Sequence, residues 1–429
     1  MIFSVFLCFA SFVLLVGLLR TSRISLGLPI AYLFNLLFNH VHGALAHIMS
    51  GSELTPTQYT ETGIWFTALG SVAFLVGVWV VHMGRGKQFL GWRTAPRQDF
   101  AKFCLVGGLI ATYGLGVIKN FSSIGAVVEK SGFIWVLGVL LGLREALQRG
   151  VSSKILFWLS AMFVYPTVTL MAGGFLSFGS TPVFVILAGL VVSTRKTWRV
   201  IVGVAVISLL FFNLFLSYFA NRSDIREAVW GGASAGTRIE RASKIFTGLE
   251  FVDFDNHAQM RALDARLNQN YFVGLAAERL DHGVVAYTKG RSFSDGLIAL
   301  VPRLIWPDKP VYAGSPGIIM EMTDFAVNDS TSYGVGNVME FYINFGIPSL
   351  IGGFLFLGLL FGWLDRQAAL AEQTGNLGLM IVCFLPAIAM NHPIGSIVEL
   401  TASGASAYLA ALGWQWLWNS WAARASSRA

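Results

Sequence analysis

About eleven apolar stretches, several long enough to cross a bilayer as a helix, constrain this chain more than any other feature. They fall near 2–19, 25–47, 62–83, 103–118, 131–147, 155–174, 180–194, 200–220, 347–364, 377–390 and 401–419. A soluble domain carries about a quarter charged residues, whereas this chain is 55% hydrophobic and 12% charged. The expected fold is therefore all-α, a polytopic membrane helix bundle of about eleven transmembrane helices. One long polar stretch interrupts it, which divides the chain into an N-terminal bundle (1–220), a large loop or cap (221–346), and C-terminal spans with a tail (347–429). No basic residues precede the first apolar run and no A-x-A-like site follows it, so it reads as a retained span rather than a signal peptide.

Orientation follows from the basic residues. Arg20 and Arg23, then Arg85, Lys87, Arg93 and Arg97, then Arg144, Arg149 and Lys154, then Arg195, Lys196 and Arg199 occupy alternate loops, and Arg424 and Arg428 lie in the tail. The positive-inside bias makes that side cytoplasmic and puts the N-terminus and the large loop on the opposite side. The formal net charge is +7, but 221–346 holds 12 Lys/Arg against 15 Asp/Glu, a balance of −3 that leaves +10 for the rest. The excess sits in short loops where it sets topology, so it is no nucleic-acid footprint. Cys8, Cys104 and Cys383 lie in apolar runs and suggest neither a disulfide framework nor a thiolate metal site. No phosphate-cradling glycine loop is present, so nucleotide-driven work is not expected.

The loop concentrates groups suited to an anionic substrate. Arg222 and Arg226 stand one helical turn apart beyond the 200–220 span, so they share a face at headgroup level. A guanidinium donates two parallel hydrogen bonds to a phosphate, and such a pair would suit a diphosphate; the alternative is a helix end anchored through Asp224 and Glu227. Arg261 and Arg266 are further candidates. Three prolines stiffen Pro302-Arg303-Leu304-Ile305-Trp306-Pro307-Asp308-Lys309-Pro310. That segment would present Arg303 and Lys309 to a ligand and Trp306 to a sugar ring, or else pair Arg303 with Asp308 and bury Trp306. Glu340 could take a proton from a sugar hydroxyl, cap a helix or offset the arginines. His392 and Glu399 flank a proline-glycine break between the last two spans, where a cavity could open. Lys119, Glu129 and Lys130 could add to that cavity or mark span ends. Residues 178–182 read as a tight turn. His40, His42 and His47 read as polar groups at a helix end, not as a metal site, which would need ligands the sequence does not identify.

In the PR-x-x-WPDKP segment and in Glu340-Phe341-Tyr342-Ile343-Asn344-Phe345-Gly346, the chain resembles the Wzy-type O-antigen polymerases, relatives of the O-antigen ligases. The architecture is also similar, with many spans, one large loop late in the chain and few helices after it. The resemblance implies a GT-C-like membrane glycosyltransferase in a bacterial inner membrane, with a periplasmic loop and a cytoplasmic C-terminus. It implies polymerisation of undecaprenyl-diphosphate-linked repeat units without nucleotide or metal and without another cofactor. Donor and acceptor would both be lipid-linked glycans, and a chain-length-regulating co-polymerase is a conceivable partner. Arg222, Arg226, Arg266 and Arg303 would contact phosphate or acceptor, and Glu340 would be the leading base. At the turn matching Gly179-Ser180 the family often places a basic residue next, and this chain has Thr181. A glycan ligase and a lipid-linked sugar flippase are the competing expectations.

Overall fold

The computed structural model describes residues 1–50, 55–83, 97–114, 122–173, 177–193, 197–247, 251, 253, 255–301, 305–306, 308–310, 314–326 and 333–426. Helices make up nearly all of these residues, and no strand occurs among them. The chain begins with α1 (Ile2–Ser22), α2 (Leu28–Ser50) and α3 (Thr57–His82). Next comes α4 (Arg97–Leu109), which widens into a π turn at Ile110–Gly114. A short α5 (Ser122–Ser131) leads into α6 (Ile134–Arg149), followed by α7 (Ser152–Gly173), α8 (Ser177–Ser193) and α9 (Thr197–Trp230). Among the described residues four stretches, Ile2–Ser22, Thr57–His82, Ile124–Arg149 and Ile347–Thr374, are long and apolar enough to cross a membrane, and shorter apolar helices accompany them. The architecture is that of a helical membrane protein.

The polar stretch is helical too. It contains α10 (Ala235–Thr247), α11 (His257–Leu267), α12 (Asn270–Asp281), α13 (Arg291–Ala299), α14 (Gly314–Thr323) and α15 (Asn337–Phe345). Then α16 (Ile347–Thr374), α17 (Leu377–Ala389) and α18 (Ile397–Ser426) complete the chain. Two helices outrun the apolar segments that announced them. Between Ala220 and Trp230 no Gly or Pro interrupts α9, so the helix continues past the end of its apolar run and stops only at Gly231-Gly232, where Gly232 takes φ +72. Likewise α16 passes residue 364 and ends at Gly375 in the left-handed region. Residues 178–182 belong to the first turns of α8 instead of forming a separate turn.

Helices α3 and α16 form the spine of the bundle. A Cβ on Gly77 would stand 2.4 Å from the Leu355 carbonyl oxygen, and one on Gly358 would stand 2.2 Å from that of Phe74. Only glycine permits this backbone approach. The polar tail of α16 turns inward: Asp365 accepts the N–H groups of Leu26 (2.9 Å) and Leu28 (3.0 Å) at the start of α2. Glu372 pairs with Arg144 of α6. Both tie down the end of the bundle remote from the large loop.

At the opposite end, the loop helices are bolted to α2 and α3. Asp264 of α11 meets His47 Nε2 at 2.8 Å and accepts from the Thr55 N–H (3.0 Å) and hydroxyl (2.8 Å). Burial works against the Asp264 carboxylate, but these donors, together with Asn268, outweigh it and hold its pKa below the usual value. Two turns along α2, His40 Nδ1 lies 2.8 Å from Asn270 Oδ1, and the Asn270 amide donates to the His40 carbonyl at 2.6 Å. Gly43 and Gly63 let Asn268 and Asn270 reach the helix backbones. His40 and His47 are therefore structural clasps between bundle and cap, whereas His42 bonds the Phe38 carbonyl of its own helix.

Candidate functional site

A cavity of about 430 Å³ opens where the cap meets the loop-side ends of α2, α5, α8, α9 and α18. Its basic wall comes from α9 and α11. Tyr218, Arg222 and Arg226 recur at four-residue intervals and so share one face of α9, and all three line the cavity. Arg266 reaches the same wall from the last turn of α11, which the side chain of Asn256 caps and the Asp264 cluster locks in place. The guanidiniums lie over aromatic rings. Arg222 and Arg266 are 5.8 and 5.7 Å from the Phe219 centroid, Arg266 is also 5.7 Å from that of Tyr333, and Arg226 is 5.1 Å from that of Trp230.

Arg222 and Arg266 have no carboxylate partner among the described residues. Asp224, one alternative partner for Arg222, instead pairs with Arg241 at 3.0 Å. Burial, followed by the like charges of Arg266 and Arg226, pushes the Arg222 pKa down to about 10. Cations held together in a partly dry recess, on hydrophobic rings and without counter-ions, make a receptor for an anion.

The facing wall is assembled from the break between α17 and α18. His392 lines the cavity, and burial together with the nearby Lys130 ammonium lowers its pKa to about 4, so the imidazole is neutral at physiological pH. Glu399 also lines it and forms a capping box at the start of α18: its Oε2 accepts the Ser396 N–H at 3.1 Å while Ser396 Oγ accepts the Glu399 N–H at 3.2 Å. A Cβ on Gly395 would stand 2.6 Å from His392 Nδ1 and 2.7 Å from Glu399 Oε2, so the two side chains close around that glycine. Asn35 steadies the break from α2 by donating to the Asn391 carbonyl (3.2 Å) and to the Thr181 hydroxyl (3.3 Å).

Glu340 does not line the cavity. It is wholly buried on α15 and accepts the Ile397 N–H at 2.6 Å, at the first turn of α18. Burial raises its pKa to about 8, against the Ile397 and Ser292 hydrogen bonds and with some help from Glu399 and Asp295. At neutral pH it is mainly the neutral acid, placed behind Glu399. Of the remaining candidates, Arg261 is exposed on α11 and Trp306 lies outside the cavity. Lys309 turns its ammonium to the Ala299 (3.1 Å) and Val301 (3.0 Å) carbonyls at the end of α13. Arg303 falls outside the described residues.

The structure thus brings together Arg222, Arg226, Arg266 and His392, with Lys130, Thr181 and Glu399 beside them. Sequence reasoning missed Tyr218, Phe219 and Tyr333, although the four-residue spacing from Tyr218 to Arg222 was there to be read. No protein-family model, curated protein or solved structure matches the chain.

Proposed function

We propose that this protein is a membrane glycosyltransferase that polymerises lipid-diphosphate-linked oligosaccharide units, in the manner of the Wzy-type polymerases it resembles. In this reading about eleven helices cross a bacterial inner membrane in a GT-C-like arrangement. The N-terminus and the cap are periplasmic and the C-terminus is cytoplasmic. The observation that carries the proposal is the pair of guanidiniums, Arg222 and Arg266, that have no carboxylate partner among the described residues, in a cavity where cap and bundle meet. A diphosphate anchored in the bilayer by its isoprenoid tail would present its charge at that level.

The reaction requires little beyond orientation, charge neutralisation and removal of one proton. A hydroxyl oxygen of the incoming unit attacks the anomeric carbon of the growing chain. The bond from that carbon to the diphosphate oxygen breaks, and undecaprenyl diphosphate leaves with the electron pair. Arg222, Arg226 and Arg266 take up the developing negative charge. The hydroxyl proton goes to a group that reaches the cavity. Glu399 fits that role better than Glu340, which is set back from the cavity and protonated at neutral pH.

The test is turnover by purified protein given one synthetic lipid-linked repeat unit. A ladder of products with equimolar release of undecaprenyl diphosphate is the expected result. Transfer of glycan to a different acceptor without a ladder would make the protein a ligase. Movement of the lipid across vesicles without any transfer would make it a transporter.

A further inference from the structure

Ile305, Trp306 and Lys309 of the proline-rich segment after α13, singled out by its sequence, do not line the cavity and have a different use. Helix α13 lies directly against the start of α18: the Thr401 hydroxyl donates to the Gly296 carbonyl at 3.0 Å, and a Cβ on Gly296 would stand 3.0 Å from the Ile397 side chain. Thr401 is also the first residue of the apolar run 401–419, which spans about 28 Å as a helix. This contact therefore sets α13 at the depth where hydrocarbon gives way to headgroups, a placement that rests on the membrane-spanning reading above.

The outward face of α13 begins polar, with Arg291 and Ser294 exposed, and turns apolar at its C-terminal end. Leu297 and Leu300, three residues apart and so on one side of the helix, are 67% and 44% exposed. Just beyond, Ile305 is 75% and Trp306 42% exposed. Lys309 clamps their turn to the end of α13 through the Ala299 and Val301 carbonyls, and its own N–H donates to the Trp306 carbonyl at 3.2 Å. On α18 the bare apolar surface continues at Tyr408, Leu409 and Leu412. A water-facing cap would not leave four large apolar side chains uncovered within ten residues.

We infer that this segment is a membrane-docking surface whose partner is the lipid leaflet on the side of the large loop. Leu297, Leu300 and Ile305 enter the acyl region. Trp306 sits at the interface, where its amphipathic ring is favoured. The docking fixes the height of the α18 N-terminus, and with it Glu399 and the cavity, relative to the headgroup layer.

Site-directed nitroxide labelling tests this in the full-length protein, reconstituted in phosphatidylethanolamine/phosphatidylglycerol vesicles. The native Cys8, Cys104 and Cys383 are buried. Power saturation at Leu297→Cys and Ile305→Cys should show greater accessibility to oxygen than to a water-soluble nickel chelate. Arg261→Cys, exposed on the cap helix α11, should show the reverse. The inference is overturned if labels at 297 and 305 favour the nickel chelate while Leu409→Cys favours oxygen. A nickel-accessible Leu409→Cys would instead bring down the spanning reading itself, and this proposal with it. Spin–spin broadening at 305 in fully labelled samples would show a second copy covering the patch and would also overturn the inference. Independently of any label, the fluorescence lost on Trp306→Phe should be the component most quenched by lipids brominated near the headgroup; absence of that quenching refutes it. None of these readouts depends on catalytic turnover.

Discussion

Replacing Arg266 with glutamine removes one of two adjacent positive charges that the fold holds together without a counter-ion. Arg222 and Arg266 both lie over the Phe219 ring, at 5.8 and 5.7 Å from its centroid, so their charges are at most about 12 Å apart. At that distance like charges repel by about 0.3 kcal/mol in water and about 1.4 kcal/mol at an effective dielectric of 20. The substitution relieves that repulsion and gives up cation–π contacts worth about 0.5–1 kcal/mol each. Folding stability should therefore change by less than about 2 kcal/mol. Activity should respond quite differently. Each guanidinium that grips a diphosphate in the transition state contributes hydrogen bonds to charged oxygen worth about 1.5–3 kcal/mol, which translates into about a 10- to 150-fold loss of kcat/KM. The assay is chain elongation from a lipid-linked repeat unit, with thermal unfolding followed in the same micelles. Arg241→Gln is the control, since it removes the same charge from a pair with Asp224 outside the cavity. If Arg222→Gln and Arg266→Gln both elongate within about twofold of the wild type at equal folded protein, well short of that expected loss, the anion-receptor argument fails.

Asp264→Asn should loosen the cap, because it weakens hydrogen bonds to His47, Thr55 and Asn268 at once; a loss of about 2–4 kcal/mol should appear as faster proteolysis of the α10–α11 region. Glu340 has a folded pKa of about 8 against an ordinary 4.5, so its contribution to stability is fully present below pH 4.5 and is lost as pH rises through about 8. The wild type should weaken across that window by up to about 5 kcal/mol, and Glu340→Gln, which copies the neutral acid, should flatten the dependence in a denaturation series. Gly395→Ala places a methyl between His392 and Glu399, so elongation should fall at least about tenfold, while the α2–α11 clasp stays protected from proteolysis.

Hydropathy made the helices legible because lipid leaves the backbone no other partner than itself. It misjudged where α9 and α16 end, since a helix does not stop where its side chains turn polar. The basic wall was half legible: the one-turn spacing of Arg222 and Arg226 predicted a shared face, which both residues occupy. Only the resemblance preferred Arg266 to Arg261; nothing in the local sequence separates them, because the difference depends on how Asp264 orients α11 against α2. The pull of an unusual local sequence misled for Lys309, whose ammonium is taken up by helix-end carbonyls. Nor did anything in Glu340-Phe341-Tyr342 announce a buried acid, since its burial is created by the packing of α13 and α18 around it.

The clasps between cap and bundle bear on how the site works. Arg222 and Arg226 stand on a helix that rises out of the bundle, while Arg266 comes from a cap helix pinned to α2. The opposing His392 and Glu399 belong to a break that Asn35 of the same α2 steadies. Helix α2 is thus the common reference for both walls: Gln269, five residues after Asp264, donates its N–H to the Asn39 carbonyl at 3.1 Å, one turn from Asn35. A shift of α11 against α2 would move Arg266 relative to His392 and Glu399 without touching either directly. Damage to the clasp should therefore appear in elongation before it appears as unfolding. Asp264→Asn should lower kcat/KM at temperatures where the bundle remains intact, and a variant that unfolds and loses activity at the same temperature would show that the cap only shelters the site.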